Sequence, residues 1–81
     1  MSLEEAARQL KLAVHDAQVA FDCVGLGELD RAQEHTIIAR TAADAAALAL
    51  QEALRTMAPD EAAREGERAV AALEDRHTPP V

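Results

Sequence analysis

From Glu28 to Ala58 the chain contains neither glycine nor proline, and positions 37–50 are half alanine. Alanine loses no side-chain entropy on entering a helix and is the best helix former. The stretch therefore predicts one helix of about thirty residues, about 45 Å long. No other segment can match that length, so the rest of the chain must pack along it.

The first segment is helical by pattern as well. Ser2 followed by Glu5 has the spacing of a capping box, and Glu4 and Glu5 suit the positive end of a helix dipole. Leu3, Ala7, Leu10, Val14, Ala17, Phe21 and Val24 alternate in steps of four and three, a heptad seam. This seam is the expected core face of the helix, with Ala6, Ala13 and Ala20 widening it on one side. Gly25-Leu26-Gly27 then breaks the helix. Gly25 is expected in the left-handed conformation after the helix end and Gly27 at the start of the next helix. So short a link folds two helices into an antiparallel hairpin.

On the long helix the expected seam is Leu29, Ala32, Thr36, Ala39, Ala43, Ala46, Leu50, Ala53 and Met57. Folding about Leu26 sets Val14 level with Ile38 and residues 15–17 level with 35–37. Ala58-Pro59-Asp60-Glu61 restarts a third helix, with proline in its first turn and acids at its positive end. Its apolar face is thin, and it is expected to fold back along the second helix, Val70 near Ala47 and Leu73 near Ala43. The reading is one all-α domain over 1–81: helices 2–24, 28–58 and 59–76 and a mobile tail 77–81. It amounts to a long helical hairpin plus a short third helix, in a three-helix or dimeric helical bundle.

Both hairpin helices carry apolar side chains outside these seams. Leu12, Val19 and Leu26 recur every seven residues on the first, and Ile37, Ile38 and Leu48 stand off the seam of the second. Six such residues are the expected interface with a partner, a second copy of the chain being the first choice.

Composition narrows the function. Fifteen acids against eight bases give a net charge of −7, which lacks the clustered cations a nucleic-acid site needs. No run of about twenty apolar residues is present to span a membrane. Cys23 is the only cysteine, which excludes a disulfide within one chain and fits a reducing, cytoplasmic setting. Seven of the eight bases are arginine, a bias expected of a GC-rich bacterial genome.

No catalytic or cofactor motif is present. Gly25 and Gly27 are followed by no phosphate-loop lysine. The Glu-x-x-His pairs of di-iron bundles are missing, since Leu12 and Ala32 stand three before His15 and His35. Cys23 and His15 lie two turns apart on one helix, too far for a nucleophile and its base. The one metal-type grouping is His15, Asp16, Glu34 and His35, two imidazoles and two carboxylates of a kind that suits zinc or copper.

Over residues 2–58 the glycine turn Gly25-Leu26-Gly27 between two heptad-patterned helices resembles the WXG100-type (ESX) proteins, helical hairpins that pair into four-helix bundles. The resemblance implies a hairpin that functions by pairing with another protein. The tryptophan at the turn is absent here, and a chain without tyrosine has no counterpart of that family's tyrosine-based export signal. The expected function is a non-catalytic, self-associating interaction module: an adaptor, inhibitor or regulatory subunit. The alternatives are a WXG100-like partner protein and a metal-binding helical protein using His15 and His35.

Overall fold

The computed structural model describes residues 3–77, and side chains for residues 3–74. Ser2 and the tail from Thr78 lie outside the described residues, and with them the expected capping box and most of the expected mobile tail. The chain is all-α: helix α1 spans Leu3–Gly25, α2 spans Leu29–Thr56 and α3 spans Pro59–His77. Helices α1 and α2 pack against each other extensively as a hairpin, and α3 docks on α1.

Two features of the turn set the hairpin. The N–H of Glu28 bonds to the carbonyl of Cys23 at 2.9 Å, and that of Gly27 to Val24 at 3.0 Å. Together they form a Schellman motif, which caps the last carbonyls of α1. Gly27 is the residue with positive φ, at 74°, whereas Gly25 stays inside α1 as its last residue. This corrects the expected roles of the two glycines. Helix α1 runs through Gly25, so the left-handed position falls two residues later, on Gly27. Glu28 serves as the N-cap of α2 without a side-chain cap bond, and its carboxylate accepts from Arg31 at 3.1 Å.

At the other end, Met57 is extended (φ −110°, ψ 138°) and its N–H bonds to Ala53, closing α2 two residues before the expected end. Pro59 opens α3 with Asp60 and Glu61 in the first turn, and Asp60 pairs with Arg64 at 3.5 Å.

The interior differs from the seams drawn above. The buried apolar residues are Ala6, Ala20 and Cys23 on α1, Ala32, Ala42, Ala46, Ala49 and Ala53 on α2, and Ala69 on α3. On α2 these fall on one heptad line, with His35 and Ala39 half-buried in the gaps. On α1 the matching line is Ala6, Ala13, Asp16, Ala20 and Cys23, so the alanines expected to flank the seam are the seam. Val14 is 69% exposed and Phe21 74%, which overturns their assignment to the core. The physical reason is closeness. Two alanine faces let the helix axes approach to about 8 Å, the short end of the usual range, and that close fit brings many backbone atoms into dispersion contact. Each buried methyl contributes only about 0.8 kcal/mol, against about 1.5–3 for a Leu, Val or Phe side chain, so the hairpin interior alone is a modest source of stability.

Helix α3 is corrected too. Val70 and Leu73 face α1 rather than Ala43 and Ala47, lining a groove of about 370 Å³ with Leu3, Ala7, Leu10 and Leu50. The end of α2 lies beside the start of α1, where those large residues stand.

Candidate functional site

Two environments stand out: a polar contact inside the seam and an apolar face outside it. Asp16 is 5% exposed in an otherwise apolar line, and its Oδ1 lies 2.8 Å from Nδ1 of His35 on the facing helix. An ionised carboxylate only accepts, so the imidazole donates through Nδ1–H. The contact satisfies a carboxylate that would otherwise be stranded among alanines, and no buried side-chain polar atom lacks a partner among the described residues. It also records the register, placing residue 16 level with residue 35. Continuing that register puts Ala20 within one residue of the level of Ala32, Ala13 of Ala39 and Ala6 of Ala46.

The four residues of the metal-type grouping are only partly brought together. Asp16 and His35 meet, while His15 and Glu34 are exposed, one helix position away from the seam and turned off it. Among the described residues no three of His, Cys, Asp and Glu come close enough to hold a metal ion.

The outer face begins with the α1 ridge, Leu3, Ala7, Leu10, Val14, Ala17, Phe21 and Val24. It stands about 100° round the helix from the buried line. On α2, Leu29, Thr36, Ala43, Leu50 and Leu54 are displaced by about the same angle in the same sense. In antiparallel right-handed helices equal displacements emerge on one broad face of the pair. Leu50 accordingly joins Leu3, Ala7 and Leu10 in the groove under α3. The expected α1 seam therefore lies on this outer face, whereas the expected α2 seam is divided: its Ala32, Ala46 and Ala53 are buried in the hairpin, and its Leu29, Thr36, Ala43 and Leu50 lie beside the α1 ridge. Helix α3 shields the Leu3–Leu10 end, and its Leu73 lines a shallow depression with Leu12, Val14 and His15. Beyond that point Val14, Phe21, Val24 and Leu29 stand more than half exposed.

The six expected interface residues are distributed differently. Leu12, Val19 and Ile38 lie on the opposite broad face, Val19 half-buried and the other two exposed, and Leu26 is exposed in the turn. Ile37 and Leu48 project from the side of α2 away from α1 and are exposed. No large apolar side chain in the described chain is fully buried. An aromatic side chain carries about 150–250 Å², so Phe21 alone leaves a sizeable apolar area in water. Soluble monomers rarely expose contiguous apolar patches beyond a few hundred Å². The charged groups, by contrast, pair locally: Arg8 with Glu5, Arg55 with Glu52 and Arg68 with Glu65, each three residues apart on one helix.

No described helix is long and apolar enough to cross a membrane. No protein-family model matches the chain, and no curated protein or solved structure matches it either. The hairpin's resemblance to WXG100-type proteins therefore carries no family assignment.

Proposed function

We propose that this chain is a non-catalytic helical module that works by binding protein through its apolar faces. The observation that supports the reading is the inversion of the usual arrangement: alanines inside, Val14, Phe21, Val24 and Leu29 outside. Domains are stable when each apolar helix stripe is covered by another layer. A two-helix ribbon has two broad faces, and α3 covers part of only one. The opposite face, with Leu12, Val19 and Ile38, is a second docking surface in this reading. The interhelical carboxylate–imidazole contact is enclosed in the seam and serves packing rather than chemistry on a substrate.

Replacing Val14, Phe21 and Val24 together with serine tests the reading. Assayed at concentrations low enough to dissociate any complex, the variant should keep its helical circular dichroism and lose most of the binding of a hydrophobic-surface dye shown by the unmodified chain. A variant that unfolds would mean that these residues form the core. An unmodified chain that binds no dye and no protein would remove the basis for a docking face.

A further inference from the structure

We infer that the partner on the Val14–Val24 face is a second copy of this chain, bound antiparallel with Phe21 seated over Ala17 of the other protomer. The inference rests on the interaction-module reading and names its partner. This face is preferred to the opposite one because its side chains are the more exposed: 74% for Phe21, against 44% for Leu12 and a half-buried Val19.

Three observations select a second copy. First, the free ridge is self-complementary. Its four residues in order are Val14, Ala17, Phe21 and Val24. A two-fold axis across α1 at position 19 exchanges Val14 with Val24 and Ala17 with Phe21. The one aromatic side chain then meets the one small residue, and valine meets valine. Such reciprocal pairing is what an isologous interface requires. Second, helix α3 limits the alternatives. It covers the ridge from Leu3 to Leu10, with Leu73 bordering the depression that Val14 also lines, so a second α1 cannot slide toward that end. The remaining ten-residue span, about 15 Å long, is centred near position 19. Third, the neighbouring helix follows the same axis. With residue 16 level with 35, position 19 is level with position 32 on α2, and the axis brings Leu29 of one protomer within one residue of the level of Thr36 of the other. Both residues stand on this face and both are exposed.

Val14, Phe21, Val24 and Leu29 together present a few hundred Å² of apolar surface, a large part of the about 800 Å² per protomer that a stable dimer removes. Exposed Ala17 and Thr36 extend the patch, and Gln18 and Asp22, bonded to each other at 3.0 Å, flank it on α1.

Sedimentation equilibrium of the full chain and three variants tests the pairing, with circular dichroism as the check on folding. The unmodified chain should be dimeric at about 100 μM, a modest requirement on the scale of protein affinities. Phe21→Ala, which empties the contact, and Ala17→Phe, which overfills it, should each weaken the dimer about tenfold or more. The double variant Ala17→Phe/Phe21→Ala moves the ring to position 17 and the methyl to position 21. It should recover to within about threefold of the unmodified chain, since the two-fold axis restores one ring against one methyl. A monomeric unmodified chain, unchanged single variants, or a double variant as weak as the singles would each overturn the inference. Dye binding separates the two levels: a monomer that still binds the dye leaves the interaction-module reading standing, and a monomer that binds none removes both.

Discussion

The two sides of α1 contrast sharply although they share a spacing. Its inner line, Ala6-Ala13-Asp16-Ala20-Cys23, is small and contains a carboxylate, whereas its outer line, Leu10-Val14-Ala17-Phe21-Val24, is large and wholly uncharged. By hydrophobicity alone the outer line would be the core. The structure places the smaller line inside, because close approach of two helices depends on small size and a matched register as much as on apolar area. The outer line is therefore available for a second layer. Under the proposed function, stability within one chain and recognition between chains fall to different faces of the same helix.

The contrast breaks most severely where a charge enters the inner line. Ala46 is 1% exposed, and Ala46→Asp should cost about 3–5 kcal/mol by burying an unpaired carboxylate. That is most of the stability of a domain this small, often about 5 kcal/mol. Loss of the cooperative thermal transition in circular dichroism is the expected outcome. Val14→Asp, on the outer line, should leave the helical spectrum intact and abolish association.

A smaller loss is expected at the polar contact. His35→Ala leaves Asp16 without its partner and should lower stability by about 2–3 kcal/mol in a denaturant titration. The double variant Asp16→Ala/His35→Ala should regain most of that loss, because the stranded carboxylate is gone too. If the double variant is as unstable as the single, the contact contributes more than desolvation and the seam depends on it positively.

How far the sequence was legible follows from these same residues. The hairpin, its turn and the restart at Pro59 could be read because Gly25-Leu26-Gly27 and Ala58-Pro59-Asp60-Glu61 act locally through backbone conformation and helix-end chemistry. The buried face was not legible, because Leu3-Leu10-Val24 and Ala6-Ala13-Ala20 share a seven-residue repeat. Periodicity finds both lines and does not rank them. Asp16 reinforced the misreading, since a carboxylate on the alanine line marks that side as polar. The available signal was register: folding about Leu26 brings Asp16 within one residue of the level of His35, which offers a partner for a buried carboxylate. Docking of α3 on α1 was hidden for a related reason. It depends on which large residues are left uncovered by the hairpin, and that follows from the choice of buried face.

Two glycines give the finest comparison. Gly27 has φ of 74°, and Gly27→Ala should destabilise the turn by about 1–2 kcal/mol through the left-handed backbone. Gly66 is inside α3, and a methyl there would meet only Leu3 Cδ1 at 3.8 Å, an ordinary contact. Gly66→Ala should stabilise the protein by about 0.5–1 kcal/mol. Thermal melting should move down for the first variant and up for the second.

The inside-out assignment of α1 is tested most directly by methyl–methyl nuclear Overhauser contacts in alanine-, valine- and leucine-labelled protein, filtered to retain contacts within one chain. The structure predicts contacts between Ala20 and Ala32 and between Ala6 and Ala46, with none from Val14 or Val24 to methyl groups of α2. Strong intramolecular contacts from Val14 to Ile38, or from Leu10 to Ala42, with the alanine pairs silent, would put the large line inside and contradict the account.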